Sequence, residues 1–396
     1  MKFYLRQTVQ FNISDVPKLI LLFLKRRSHS LQTVEAGLAR YLGAEQVVLS
    51  NSMRAGIQLC LQYYRKEKPS RNEILIPEYG FHSNLSAAIN AGFKIKYIRV
   101  NPITLEIEAK TLKQAITSST LGLILTHIHG RSNDLERIVP IIKEKKLILF
   151  EDCAHAIGQV YKKKQLGTYG VGCYSFGAGK NITSLGGGAI ATDDLKLSKY
   201  LREKQRGYEN LRSDLAILVS LIAYTLISNP FVAFVVMKPL TRFMQMAKIQ
   251  RKDHDVFSIQ KSEIKRLGTP SCFQLALLHH QFTDKIDRLS SIIATRITTA
   301  RKYDQLLGNK HNNADSTFCF QYPIRVKNTD DVISILWKKN IDVQIDYCSY
   351  LPLLYSADKI ITSIPVGQNI VYLPTNRFLD QTRIVDFMSI LKESLL

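Results

Sequence analysis

Cysteine is sparse in this chain: six residues, at 60, 153, 173, 272, 319 and 348, with no Cys-x-x-Cys pair. That spacing excludes a zinc ribbon and a disulfide-stapled scaffold, and it points to a reducing compartment. Internal repeats and low-complexity stretches are missing too, which excludes solenoid, collagen-like and disordered chains. Acid is in short supply: 33 Asp and Glu stand against 54 Lys and Arg, a formal net charge of +21. Such a surplus attracts anions, whether nucleic acid, phosphorylated ligands or an acidic membrane surface. The basic residues are dispersed and no nucleic-acid-binding motif accompanies them, so nucleic acid is not an expected partner. A secretory signal is not expected either. The apolar run from Leu19 to Leu24 is hemmed by Lys18 and by Lys25-Arg26-Arg27. It is too short to span a bilayer, and no small-residue cleavage site follows. It reads as one buried helix face, with an interfacial, basic-edged helix as the sharper alternative.

What remains is ordinary for a packed protein: 396 residues, 45% hydrophobic and 22% charged, enough for two to three domains at about 150 residues each. From residue 31 to 200 helical and extended patterns alternate. Leu31 to Leu42 has helical spacing and stops at Gly43. Strands are expected at Val47–Leu49, Ile74–Ile76, Ile95–Val100, Leu121–Thr126 and Leu147–Phe150. Helices are expected at Met53–Tyr64, Ser83–Ala91, Ala109–Ile116 and Leu135–Lys145. The alternation predicts a mainly parallel sheet covered by helices on both faces. Polar residues gather where strands end: Asn51-Ser52, Phe81-His82, His127 with His129, and Glu151-Asp152. In open α/β sheets ligands bind beyond the carboxyl ends of the strands. After about residue 266 a second α/β region follows, with a long helical stretch from Ser271 to Leu306, a strand from Phe318 to Val326, and helices at Asp330–Lys339 and from Thr382.

Two segments carry the chemistry. LILFEDCAHAIG (147–158) is an apolar strand ending in Asp152. VGCYSFGAGKNITSLGGGAIAT (171–192) is a strand, a turn bearing Lys180, and three glycines before another strand. A lysine among small residues after a strand is compatible with a Schiff-base lysine. A strand-end aspartate is equally compatible with a helix cap. His127-x-His129 could place two imidazoles on one strand face, but no third ligand is evident and no metal is expected. Cys153 and Cys173 read as small buried residues.

Spaced 28 residues apart, Asp152 and Lys180, together with Ser175 and the glycines, resemble the site of the DegT-type sugar aminotransferases, a pyridoxal-phosphate (PLP) dependent, fold-type I family. VEAGLARYLGAEQVVLSNS, ILIPEYGFHSNLSAAINAGFKIKYIRVNPITLEI, THIHGRSNDLERI and SFGAGKNITSLGGGAI share the order and spacing of that family. The resemblance implies PLP as cofactor. It implies that Lys180 carries the cofactor and moves the proton during the reaction, and that Asp152 keeps the pyridine nitrogen protonated. His155 takes the position beside the ring and Phe81 the stacking position. Ser175, Ser52, Met53 and Arg54 fall at the phosphate, where a helix N-terminus favours the dianion. Asn181 follows the lysine as it does in the family, and His127 falls near the site.

The chain departs from the pattern twice. Ser52-Met53-Arg54 stands where Ser-Gly-Thr is usual, so Arg54 would replace a threonine contact by a charged one. Lys265-Arg266-Leu267-Gly268-Thr269-Pro270 stands where Asn-Tyr-Arg usually reaches the neighbouring subunit's cofactor. A third peculiarity is an insertion: between Asp214 and Lys238 no residue is charged. About 23 such residues make about 35 Å of helix, enough to cross a bilayer. Asn229-Pro230 interrupts it, and the cofactor region and small domain on either side must share one compartment. The expectation is therefore two short apolar helices forming a hairpin on the membrane. Basic flanks (Arg202, Lys204, Arg206, Arg212, then Lys238, Arg242, Lys248, Arg251, Lys252) would meet anionic lipid. The alternative is that the insertion packs against its symmetry mate in a dimer or covers the core.

The domain reading is an N-terminal arm (1–30), a large PLP-binding domain (31–205), the insertion (206–265) and a small C-terminal α/β domain (266–396). The expected function is amino transfer from glutamate or glutamine to a keto sugar, nucleotide-linked, for surface polysaccharide. The protein would be a cytoplasmic homodimer, peripheral to the inner face of the membrane. The alternatives are another PLP reaction, a dehydration or amino-benzoate formation, or a membrane-associated scaffold that has lost catalysis. Family dehydratases replace the lysine by histidine, and Lys180 argues against that version.

Overall fold

The computed structural model describes residues 1–207, 211–246, 264–308, 317–345, 348–354, 369–379 and 381–395. Lys248, Arg251 and Lys252 of the expected basic flank lie outside them. Seven strands form the main sheet: β1 (Gln46–Ser50), β2 (Glu73–Pro77), β3 (Lys94–Ile98), β4 (Thr120–Thr126), β5 (Ile148–Asp152), β6 (Val171–Ser175) and β7 (Gly188–Thr192). Their order is β1-β7-β6-β5-β4-β2-β3. Every neighbouring pair is parallel except the two made by β7, which runs antiparallel to both β1 and β6. The carboxyl ends of β1, β2, β4, β5 and β6 therefore converge on one edge.

Thirteen helices are described: α1 (Val16–Leu24), α2 (Leu31–Leu42), α3 (Met53–Glu67), α4 (His82–Asn90), α5 (Ala109–Ala115), α6 (Leu135–Glu144), α7 (Leu195–Lys204), α8 (Leu211–Ser228), α9 (Pro230–Met246), α10 (Cys272–His279), α11 (Ile286–Leu307), α12 (Thr329–Lys338) and α13 (Gln381–Leu391). Local chemistry sets many of their ends. Ser30 caps α2 by accepting from the Thr33 amide, and Gly43 closes it in the left-handed conformation, which costs glycine nothing. Asp134 and Asp194 cap α6 and α7 in the same way. The sheet separates two apolar cores. One holds Val34, Leu38, Leu123, Leu125, Ile138 and Leu149; the other holds Ile57, Leu61, Ile76, Leu85, Ile124 and Phe150. β4 is buried at every position, as a central parallel strand covered on both faces must be.

A second sheet of β8 (Gln321–Arg325), β9 (Gln344–Ile345) and β10 (Ile370–Pro374), in the order β8-β10-β9, packs with α11, α12 and α13 around a third core of Tyr303, Tyr322, Leu336, Val371 and Phe387. The continuous helix expected from Ser271 to Leu306 is in fact broken. A π-helical turn at His280–Asp284 and a non-helical Lys285 (φ −131°, ψ 28°) separate α10 from α11. Neither glycine nor proline marks this break.

The N-terminal residues thread between parts of the molecule. Tyr4 pairs with Ile341 and belongs to the small-domain core. Val9, Phe11, Leu19 and Leu22 join Leu218, Leu221, Phe273 and Leu277 in a fourth core. α8 and α9 form a helical hairpin that turns at Asn229-Pro230, where the asparagine side chain accepts from the Phe231 amide (2.9 Å).

Candidate functional site

Beyond the converged strand ends lies a cavity of about 710 Å³. Ser52, Met53, Arg54, Phe81, His127, Asp152, His155, Ser175 and Lys180 all line it, joined by Arg6 and Gln7 of the N-terminal segment. Asn181 does not. Its amide nitrogen donates to the Ile157 carbonyl (3.1 Å), deep in the core, so it supports the lysine loop and does not face the cavity.

Asp152 ends β5 and is buried. One carboxylate oxygen accepts from Asn84 Nδ2 (2.6 Å) and Thr126 Oγ1 (3.3 Å); the other accepts from the Ala154 amide (3.0 Å). Alternation along the strand sends the adjacent Glu151 to the opposite face. There it accepts from the amides of Tyr169 (2.7 Å), Gly170 (2.9 Å) and Gly167 (3.0 Å) and meets His127 Nε2 at 3.3 Å. His127 Nδ1 in turn takes the Asn133 amide (3.4 Å). His127, Glu151 and Cys153 could bring three ligand atoms within 4.8 Å of one another, but the first two are already saturated by hydrogen bonds. Burial pushes the Cys153 thiol far above its ordinary range. These bonds make the cluster a hydrogen-bonded post beneath the site. His129 sits in a turn at φ 50°, so the two histidines do not share a strand face.

Lys180 rides on the loop between β6 and β7, and the three glycines bring that loop against α3. Gly187 adopts φ 90°, and a Cβ on Gly188 would lie 2.5 Å from the Met53 amide nitrogen. The loop is clamped from α10 and the π-turn. Gln281 accepts from the Thr183 amide (3.1 Å) and donates to the Thr183 carbonyl (2.9 Å); Gln274 donates to the Ser184 carbonyl (3.1 Å). Gln281 follows immediately on the start of the π-turn, and such turns recur at functional sites. Gln281→Ala would leave both Thr183 groups buried without partners. It is expected to destabilise the protein by about 2 kcal/mol and to weaken cofactor retention severalfold. Urea denaturation and dialysis against cofactor-free buffer would measure the two effects.

Burial lowers the Lys180 ammonium to a pKa of about 8, opposed by Asp152 and aided by Arg296. Its Nζ lies 4.9 Å from the centre of the Phe320 ring. Phe320 stacks on His155 at 4.1 Å with the rings 6° from parallel. Arg296, buried on α11, donates to the Gly179 carbonyl (3.3 Å) and lies over the same phenyl ring. Burial, reinforced by the charge of Lys180, holds the His155 imidazole far below its ordinary range. It is therefore a neutral, flat surface at pH 7. Phe320, Arg296, Asn84, Gln274, Gln281, Arg6 and Gln7 are the site residues that the sequence reading missed.

The residues present fit PLP on the evidence of their own geometry. Ser52 stands at the N-cap of α3 without making a cap hydrogen bond, and no acidic residue occupies the first turn. Its hydroxyl, the first-turn amides, Ser175 and Arg54 together make a cationic, donor-rich end suited to a phosphate. Asp152 supplies a buried acceptor for a ring N–H, and Lys180 supplies an amine that titrates near neutrality. Phe81 stands at the mouth, 37% exposed, with its ring 4.3 Å from that of His82.

A family model described as the DegT/DnrJ/EryC1/StrS aminotransferase family matches residues 24–270. The spore coat polysaccharide biosynthesis protein SpsC of Bacillus subtilis is 30% identical over 173 residues, 43% of this chain and 44% of that protein. An uncharacterised protein of Methanocaldococcus jannaschii is 29% identical over 163 residues, 41% of this chain and 42% of that one. The match thus spans under half the length of these relatives. Among solved structures, Helicobacter pylori PseC, an aminotransferase involved in pseudoaminic acid biosynthesis, aligns with a TM-score of 0.70 at 17% identity, covering 100% of this chain and 99% of its own. The E. coli GDP-4-keto-6-deoxy-D-mannose-3-dehydratase with bound hydrated PLP aligns with a TM-score of 0.73 at 17% identity, covering 100% of both. At such identities the structural likeness shows the fold, that of fold-type I PLP enzymes, over the whole chain.

Proposed function

The chain belongs to the DegT/DnrJ/EryC1/StrS aminotransferase family, and from that premise we propose that it transfers an amino group from glutamate or glutamine to the ketone of a nucleotide-linked sugar. The observation that carries this reading is the meeting of Lys180 and Asp152, from different segments, on one cavity. A role in surface polysaccharide assembly is the setting that best suits such a product.

PLP, when bound, supplies an electron sink for the charge left at the donor's Cα when its proton departs. The chain's own residues do the rest. Ser52, Ser175, Arg54 and the first amides of α3 would hold the phosphate. Asp152, fixed by Asn84, Thr126 and Ala154, would hold the proton on the pyridine nitrogen. His155, braced by Phe320, would support the ring. Lys180 would take the proton from the donor's Cα and deliver one on the cofactor side, a task suited to an amine with a pKa of about 8. Amination of the sugar would use the same groups in the reverse direction. The donor leaves as its keto acid, and the sugar ketone becomes an amine. Arg6 on the cavity wall suits the diphosphate of a nucleotide sugar.

The test is incubation of the purified full chain with PLP and glutamate, assaying the keto acid released. Nucleotide-linked keto sugars are then added and amination is read by mass. The expected result is stoichiometric keto acid without sugar and turnover with it. Failure to retain PLP would favour the scaffold reading.

A further inference from the structure

α8 buries one face: Asp214, Leu218, Leu221, Thr225 and Ser228 recur at helical spacing and turn inward, joining α1 and α10 in a common core. Its other face is apolar too, yet Leu215, Val219 and Leu226 are exposed. α9, packed beside it, exposes Phe231, Val235, Val236, Leu240 and Phe243; α1, packed on its other side, exposes Ile20, Leu21 and Leu24. A helix that is apolar all round must bury its remaining face in something.

Charge says what. The one acidic residue between 211 and 246 is Asp214, which is buried and paired with Arg26 at 3.1 Å. The exposed charges on these three helices are cationic: Arg212 and Arg242 on the hairpin, and Lys18 on α1, with Lys25 and Arg27 just past its end. We propose that the hairpin, together with α1, docks the enzyme on an anionic lipid bilayer, with the outward apolar side chains in the headgroup–acyl boundary. A symmetric contact with a second copy is disfavoured, because it would set these same cations against each other.

The hairpin lies on the bilayer and does not cross it. α8 is long and apolar enough to span by length and composition, but its inner face is committed to the protein. The turn is also pinned. Phe3 donates its amide to the Pro230 carbonyl (2.8 Å), and the Val9 amide donates to Ser228 Oγ (3.1 Å). Arg6 and Gln7, between those two anchors, line the catalytic cavity.

The experiment is flotation of the full chain with vesicles of phosphatidylcholine containing phosphatidylglycerol, and with phosphatidylcholine alone. Light scattering of each protein in solution accompanies it. The chain is expected to float with the anionic vesicles only, and less so as salt is raised. L215Q/V219Q/V235Q, all at exposed positions, should lower partitioning at least about tenfold while leaving the melting temperature and PLP binding unchanged. R212E/R242E should lower it by a similar factor without touching the apolar surface. Absence of flotation, or flotation of both variants like the wild type, overturns the proposal. So does a wild-type oligomer that the triple variant dissociates, which would assign this face to a second copy.

Discussion

Lys180→Ala is expected to reduce amino transfer by about 10⁴-fold, the range lost with a general base that also anchors the reacting group. PLP should still bind through the phosphate end but lose the visible absorption of its link to the protein and become freely dialysable. Titration sharpens the test. Only the neutral amine can react, so the rate of PLP capture by the cofactor-free protein should rise with pH and level off above about 8. Arg296 contributes to that depression, and Arg296→Met should move the inflection upward. A stability consequence follows with a fixed sign. The folded lysine gives up its proton near pH 8 and the unfolded one near 10.5. Between those values the unfolded state binds more protons, and stability rises with pH. Below pH 8 the cofactor-free fold carries a buried charge at a cost of about 3 kcal/mol. Lys180→Met should relieve most of it, leaving an inactive variant that is more stable than the wild type at pH 7. A less stable variant at that pH would show that the lysine is not buried as a cation.

Asp152→Asn has the next largest expected effect, a loss of about 10²–10³-fold in kcat with little change in donor KM. The substitution isolates charge from shape because the pocket can accommodate it. Asn84 Nδ2 donates to Asp152, while Asn84 Oδ1 is buried without a partner. Rotating the Asn84 amide would present that oxygen to the new NH₂ group and restore the contact between the two side chains, at the cost of the Asn84 donation to Thr126. The thermal midpoint should therefore fall only slightly. Asp152→Ala lacks this remedy and should lose stability as well as rate. Comparable activity of the Asp152→Asn variant and the wild type in single-turnover assays would remove Asp152 from the proton-holding role.

Much of the large domain was legible because its signals are local. Gly43, Pro77 and Gly92 end elements where the chain's own pattern stops, and apolar runs alternate with helical stripes. Placing Asn51, Phe81, His127 and Asp152 at strand ends then follows from parallel topology. The Lys180–Asp152 pairing came from resemblance, since neither residue announces its partner. What stayed hidden is the support. Gln281 grips Thr183 across 98 residues of sequence, and Phe320 arrives from the chain just before β8. One signal was available: Gln274 and Gln281 stand seven apart in a helical stretch rich in apolar residues, as residues on one face would. The π-turn beside Gln281 had no such marker. Asn181 misled in the opposite sense, because adjacency to a catalytic residue in sequence says little about which way a side chain points in a tight loop.

The threading of the first residues fixes an order of assembly. Asn376 donates to the Leu5 carbonyl (2.7 Å), and Asp342 donates its amide to the Tyr4 carbonyl (2.8 Å). Residues 4–6 thus dock on sequence more than 330 residues further along the chain. Such contacts close the longest loops in the chain and form late. The cavity therefore stays without Arg6 and Gln7 until these distant contacts have closed. A chain that stops short of Asp342 and Asn376 lacks the partners that hold Arg6 and Gln7 at the cavity.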